Sequence, residues 1–255
     1  MTSKTHLFFT DVHVKPGKSN EHATWLGKLI NDIRPDTIIC GGDLADMESL
    51  CNYDKGTRAA VGRNYQADCE VAWDFNERWL HEVRKRKRKM PRRVVLIGNH
   101  EQRIDRALDV QPHLEGQISY DDLGYSHYYN TIVHYEGSTP GLLEIDGVWY
   151  GHYFVSGVMG LPIGGTNQAS LMLSKNFVSC VAGHSHIQDY SVRTLPNGKK
   201  IQAVVGGCFV NYNQNWAGQR NHLWWRGVTI LRNVEDGVFD LQFVSLKALG
   251  KEYGN

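Results

Sequence analysis

A chain of 255 residues with 41% hydrophobic content and a net charge of +1 has the make-up of a soluble globular protein, which excludes a fibrous, disordered or low-complexity chain. Its five cysteines are odd in number and widely spaced, with no Cys-x-x-Cys pair, so the sequence argues against a disulfide framework and for a reducing compartment. The near-neutral charge conceals an uneven distribution: Arg84 to Arg93 holds eight basic residues and no acid, leaving the remainder at −7.

The first strand signal, Leu7-Phe-Phe-Thr10, comes almost at once and leaves no room for a signal peptide. No apolar stretch approaches the roughly 18 residues a membrane helix needs. The expectation is a cytoplasmic protein that does not enter a membrane, built as a single domain over 1–255. Residues 20–33 read as a helix with Trp25, Leu26, Leu29, Ile30 and Ile33 on one face, ended by Pro35. Thr37 to Cys40 is a second buried strand, 67–88 a long helix carrying Val71, Phe75, Trp79 and Val83 at helical spacing, and Val94 to Ile97 a third strand. This alternation predicts a parallel sheet. Later strand signals flank Asp146-Gly147, Asn197-Gly198 and Asp236-Gly237, all hairpin turns, so the second half reads as mostly antiparallel. The predicted class is α/β, with two packed mixed sheets flanked by helices. Two stretches, 47–66 and 109–140, lack periodicity and read as long loops of the kind that bind ligands.

Each early strand runs into residues with metal-binding chemistry. The first leads to Asp11-Val-His13, the second to Gly41-Gly-Asp43-Leu-Ala-Asp46, and the third to Gly98-Asn99-His100-Glu101. Later strands lead to Gly151-His152 and Gly183-His184-Ser-His186. Ligands at the carboxyl ends of parallel strands point into one crevice. An Asp-x-His pair can chelate one ion from both side chains, and a shared aspartate can bridge two. Any one of these fragments occurs by chance; five in this order, each just after a strand, point to a metal site.

That order of motifs, from about residue 7 to about residue 190, resembles the calcineurin-like metallophosphoesterase superfamily. The segments Asp54-Lys-Gly-Thr-Arg58, Gly98-Asn-His-Glu-x-Arg-Ile-Asp105 and Trp224-Trp-Arg-Gly227 further resemble its phage and prophage branch. The resemblance implies a four-layer αββα sandwich. It also implies that Asp11, His13 and His186 hold one divalent ion, that Asn99, His152 and His184 hold a second, and that Asp43 bridges them. Mixed oxygen and nitrogen ligands favour Mn²⁺, with Fe, Zn²⁺ or Ni²⁺ as other candidates, over Mg²⁺ alone. A hydroxide bridging the ions would attack phosphorus in line. His100 would bind no metal and would protonate the leaving oxygen or steady the phosphoryl charge. Asp46 would orient His100, although a turn or helix cap is the plainer reading of the residue itself.

The substrate is less legible. The family's protein phosphatases carry clamp arginines after the second motif and before the third; here those places hold Asp46-Met-Glu48 and Leu96-Ile97. Without a bidentate clamp for a dianion, a phosphodiester substrate becomes the better match, DNA or nucleotides among the candidates. Lys55, Arg58, Arg63, Arg103 and Arg226 are candidate substrate contacts. The run 84–93 reads either as a nucleic-acid contact or as a solvated helix end at the rim away from the metals. The aromatic residues of 211–216 and Trp224-Trp225 read either as base-stacking groups or as core. His127 and His134 read as surface or structural residues. A cyclic-nucleotide or dinucleotide phosphodiesterase, a phosphomonoesterase and a non-enzymatic metal scaffold are the alternatives.

Overall fold

In a computed structural model, which describes residues 3–254, the strands form two main sheets. The first has the order β11-β10-β1-β2-β3-β4, where β1 is Lys4–Phe9, β2 Thr37–Cys40, β3 Arg92–Leu96, β4 Thr131–Val133, β10 Gly227–Glu235 and β11 Val238–Ser245. Strands β1 to β4 run parallel, and β10 and β11 close the other edge antiparallel. The second has the order β8-β9-β7-β6-β5, with β5 Leu142–Ile145, β6 Val148–Gly151, β7 Ser179–Ala182, β8 Gln188–Thr194 and β9 Lys200–Gly206.

Side-chain alternation along each strand sorts the core into layers. On one face of the first sheet, Leu7, Phe9, Ile38, Cys40 and Val95 pack with Leu26 and Ile30 of α1 (Glu21–Ile33) and Phe75 and Trp79 of α2 (Tyr65–Lys85). The opposite face sends Phe8, Ile39, Val94 and Leu96 against Val148, Tyr150, Val181 and Val204 of the second sheet. Beyond that sheet, Ala169, Met172 and Leu173 of α4 (Gln168–Asn176) cover Cys180, Ala182, Ala203 and Val205. The layers are therefore helix, sheet, sheet, helix. A further helix, α3 (Arg103–Val110), follows the third motif, and α5 (Leu246–Tyr253) buries Leu249 in the α1 layer. Among the described residues no helix is long and apolar enough to cross a membrane.

One sequence expectation is corrected. The centre of the second sheet is parallel, because β7 runs parallel to both β6 and β9; only the outer strands β5 and β8 are antiparallel. A parallel neighbour needs a crossover, and α4 lies on the path from β6 to β7. That helix is only 9 residues long and buries just four of them, too faint a periodicity to separate from a loop. Because β6 and β7 are parallel, both end at one rim, and their terminal His152 and His184 fall side by side.

Candidate metal centre

The residues after β1, β2, β3, β6 and β7 meet in a pocket of about 290 Å³ whose lining includes His13, Asp43, Asn99, His100, His184 and His186. Three groups of donors lie close enough to hold a cation: Asp11, His13 and His186; Asp43, His152 and His184; and His13, Asp43 and His100. Their backbones are unusual. Asp11, His13, Asp43, His184 and His186 all take left-handed φ between 49° and 69°, a conformation that costs a non-glycine residue energy and turns the chain sharply at each strand end. At Gly98 and Gly183 a Cβ would run into the Asp43 carboxylate and into Thr10 and Asp11, so only glycine lets these loops approach.

The two carboxylates divide their oxygens. Asp43 Oδ1 accepts the His100 N–H at 2.8 Å, while Oδ2 faces His152 Nε2 at 3.4 Å and His13 Nε2 at 3.9 Å. Asp11 Oδ2 accepts from Thr10 Oγ1 at 2.6 Å and the His184 N–H at 2.8 Å. Its Oδ1 is buried without an aligned donor, 3.2 Å from His186 Nε2.

The histidine tautomers follow from their outer partners. His152 Nδ1 sits 2.9 Å from the Gly41 carbonyl, so Nδ1 carries the proton. Its Nε2 then faces three further acceptors: Asn99 Oδ1 at 3.0 Å, His184 Nδ1 at 3.3 Å and Asp43 Oδ2. His13 Nδ1 lies 3.2 Å from Asp46 Oδ1, which leaves its Nε2 lone pair 3.1 Å from His186 Nε2. Lone pairs converging at these distances are mutually repulsive unless a cation sits among them, and the mixed N and O donors suit a divalent metal. The side chains present therefore fit two ions. Burial acts to lower the His152 pKa, but the Asp43 charge and hydrogen bond outweigh it and push it up to about 10. Burial likewise acts to raise Asp11, yet the adjacent His186 imidazole brings it down to about 2.

His100 stands beside this array. Its Nδ1 reaches both the Asp46 carboxylate at 2.7 Å and the Asp46 carbonyl at 2.8 Å, so Nδ1 is protonated. Its Nε2 lies 3.9 Å from Asp43 Oδ2 and 3.3 Å from the Arg103 guanidinium, a cationic neighbour that disfavours a metal there. Burial acts to lower the His100 pKa, but the charge of Asp43 and the Asp46 bond raise it above its ordinary value. The Asp46 carboxyl is held well below its usual range: burial acts to raise it, and the bonds to His100 and His13 prevail.

The family model for calcineurin-like phosphoesterases matches residues 5–243. The chain belongs to the calcineurin-like phosphoesterase family. Among solved structures it is similar to Yfce, a phosphoesterase from E. coli, at 13% identity over 95% of this chain and 99% of that one, with a TM-score of 0.41. It is also similar to TT1561 of Thermus thermophilus, at 12% identity over 96% of this chain and 100% of that one, with a TM-score of 0.41. No curated protein matches the chain. As a member of this family the chain is a metal-dependent phosphoester hydrolase of the kind that binds a dinuclear metal centre.

The other residues singled out in the sequence scatter. Arg103 is in the site, donating to the carbonyls of Asp46 at 2.8 Å and Met47 at 3.3 Å. Arg63 is tied to Asp54 at 2.7 Å and to the Glu48 carbonyl at 2.9 Å. Lys55 and Arg58 are exposed and do not line the pocket. Arg226 is outside the lining too; its guanidinium holds Tyr212 O and Asn213 Oδ1. Arg88, Lys89 and Arg92 of the basic run border a separate cavity of about 700 Å³ with Lys4, Arg34 and Asp36, at the amino ends of β1 to β3 and so at the opposite rim. His127 is exposed beside Glu77, and His134 packs edge-on against Tyr120. Trp225, half-buried, packs on Phe243, whereas Trp224 turns to the pocket and meets the His186 ring at 4.3 Å.

Sequence reasoning missed two groups. Glu101, fully buried, accepts the backbone N–H groups of Asp43, Ala45 and Gly98 and bonds the Tyr125 hydroxyl. It reads in the sequence only as the last letter of the third motif. Arg220 lines the pocket from a loop some 30 residues past the last motif, together with Trp216, which the sequence marks as a stacking or core residue. The only signal for Arg220 is its place between tryptophans in a segment rich in Asn, Gln and Gly.

Proposed function

We propose that the protein is a dinuclear metal-dependent phosphodiesterase acting on DNA or nucleotides. The observation that supports it best is the pair of donor groups around Asp11 and Asp43, with His100 beside them and its Nδ1 held by Asp46. In this reading Asp11, His13 and His186 would hold one ion, Asn99, His152 and His184 the other, and Asp43 would be shared between them. Mn²⁺ is the proposed metal, from the donor set. When bound, such ions lower the pKa of water and neutralise phosphoryl charge.

The protein's own groups supply the remainder. Asp46 fixes the His100 tautomer and favours its protonated form, so that Nε2–H can be delivered to the leaving ester oxygen. Arg103 braces the Asp46–Met47 turn by donating to both carbonyls. Arg220, exposed, is the one guanidinium in the pocket lining among the described residues. A pocket without a buried guanidinium pair suits the single charge of a diester better than a monoester dianion. The phage-branch resemblance of the Asp54–Arg58 and Trp224–Gly227 segments adds DNA to the candidate substrates.

Incubation with Mn²⁺, bis-p-nitrophenyl phosphate and labelled single- and double-stranded DNA tests this, with Asp43→Ala as the blank. The expected result is diester cleavage by the native protein alone. Cleavage of phosphomonoesters with neither diester touched refutes the diester reading.

A further inference from the structure

The loop from Asn211 to Arg226 connects β9 to β10 and forms one wall of the metal pocket, and it is fastened to the site. Gln214 is buried, accepts Lys15 Nζ at 3.0 Å and donates to Tyr212 Oη at 3.1 Å and to Asp46 Oδ2 at 3.4 Å. Tyr212 donates to the His13 carbonyl. The Asn221 side chain accepts Gln214 N–H at 3.0 Å and donates to the carbonyls of Gln214 and Gly218, both at 2.8 Å, closing the loop on itself. Ala217 is buried between these anchors. The aromatic groups the loop carries are thus fixed relative to the ligands.

Trp224 bridges inward, its ring against His186 on one side and 5.9 Å from the Trp216 ring on the other. Trp216 is 59% exposed although it lines the pocket, and Arg220 lies over it at 5.8 Å. Beyond its contacts with Trp224 and Arg220, most of this large aromatic ring stays open to solvent, two ring contacts from a candidate metal ligand. It offers stacking to a flat, apolar group attached to a phosphate in the pocket, and Arg220 offers charge to a phosphate alongside. A paired base is stacked on both faces and closed to such a platform, whereas an unpaired base presents a free face.

We infer that Trp216, backed by Trp224 and Arg220, is the stacking platform for an unpaired nucleobase next to the scissile phosphate, making the site selective for single-stranded over duplex nucleic acid. This rests on the phosphodiesterase reading above and specifies its substrate. Base–aromatic stacking corresponds to about a 5- to 150-fold gain in affinity per base.

Calorimetric titration in EDTA measures the platform without any hydrolysis. The ligands are a short oligothymidylate, the same backbone with its bases removed, and a hairpin duplex. The native protein is expected to bind the oligothymidylate 5-fold or more tightly than either of the others. Trp216→Ala, at an exposed position, is expected to erase that preference, and Trp216→Phe, which keeps an aromatic face, to retain most of it. Equal affinity for base-bearing and abasic strands in the native protein, or a preference that survives Trp216→Ala, overturns the inference. The same strands are then incubated with Mn²⁺. A binding preference with no cleavage of any strand upholds the platform and refutes DNA as the diester that is hydrolysed. Equal cleavage of all three, with equal binding, does the reverse.

Discussion

Glu101 is the residue on which the geometry around Asp43 most depends. Its Oε2 accepts the N–H groups of Asp43 and Gly98, both at 3.0 Å, and its Oε1 accepts the Ala45 N–H at 2.9 Å and faces the Tyr125 hydroxyl at 3.0 Å. These bonds hold Asp43 at a φ of 50°. In Glu101→Gln the best arrangement puts the new NH₂ beside Tyr125, whose hydroxyl can turn to accept, and leaves the Ala45 N–H facing a donor. One orphaned buried N–H costs about 1–3 kcal/mol, and the other two bonds lose their charge assistance, so the sum is about 3 kcal/mol. At roughly 2–4 °C per kcal/mol for a chain of this size, the melting temperature falls by about 6–12 °C. Glu101→Ala orphans all three N–H groups and costs about 3–9 kcal/mol, on the scale of the whole folding free energy. With the turn loosened, metal affinity should fall about 10- to 100-fold in Glu101→Gln, as for other lost supports of metal ligands. Thermal unfolding and calorimetric titration with Mn²⁺ read both effects. Tyr125→Phe is the control: it removes one hydroxyl, leaves the three backbone bonds, and should cost about 1 kcal/mol without changing metal affinity. If Glu101→Gln stays within about 0.5 kcal/mol of the native protein and binds Mn²⁺ equally well, Glu101 does not organise the site.

Other outcomes follow from the same structure. His22 is buried between the rings of Phe75 and Phe209, at 5.3 and 5.1 Å, with neither nitrogen bonded, and burial pushes its pKa down to about 3. Between about pH 6.5 and pH 3 the unfolded chain takes up a proton that the folded one refuses, so stability falls with pH in that window. The cost is about 2 kcal/mol at about pH 5, and urea unfolding of His22→Leu should show a loss from about pH 7 to about pH 5 smaller by that amount. His100→Asn should lose about 10²- to 10⁴-fold in kcat on diesters with alkyl leaving groups and much less with p-nitrophenyl esters, whose phenolate leaves without a proton; an equal loss on both denies His100 the role of acid. Adding Mn²⁺ at about a hundredfold above its Kd to the metal-free protein should stabilise it by about 2.7 kcal/mol per ion, seen as a raised Tm; no shift means that the donor groups do not bind that ion.

Much of this is legible in the sequence because the candidate ligands are punctuation. Asp11, Asp43, Asn99, His152 and His184 each close a strand whose apolar run is easily seen, and the glycines beside them mark where the chain must turn. The two-layer core is legible for the same reason: alternation places Phe8 on one face of its sheet and Leu7 and Phe9 on the other. What fails depends on weak or distant signals. The helix α4 buries only four residues, so the parallel centre of the second sheet leaves little trace in the sequence. Nearness in sequence to the second motif favours the loop cations, yet Arg63 is neutralised by Asp54, a partner nine residues away whose contact no periodicity encodes. Arg226, expected to contact substrate, instead props the loop that carries Trp216. Arg220 and Trp216 reach the pocket only because Gln214 and Asn221 fold their loop over Asp46 and His13, a tertiary arrangement with no sequence period.

The division of carboxylate oxygens shows what holds the donor residues in their strained turns. Five donor residues in left-handed conformations cost of order 1–3 kcal/mol each, enough to unfold a marginal protein if uncompensated. The compensation is local. Asp43 Oδ1 accepts the His100 N–H, Asp11 Oδ2 accepts the His184 N–H, and the N–H groups of Asp11 and His13 bond Gly42 O and Asp43 O at 2.9 and 3.0 Å. Each carboxylate thus commits one oxygen to the backbone of another motif and keeps the other for a cation. The strands deliver the motifs to one rim, but these crossed bonds set their mutual positions. Metal affinity should therefore respond to Thr10 and Glu101, which touch no metal in the proposed scheme, because both hold a carboxylate loop in its strained turn. At Asp43, Oδ1 is already committed to the residue that carries the proposed acid, and Oδ2 is the oxygen left facing His152 and His13.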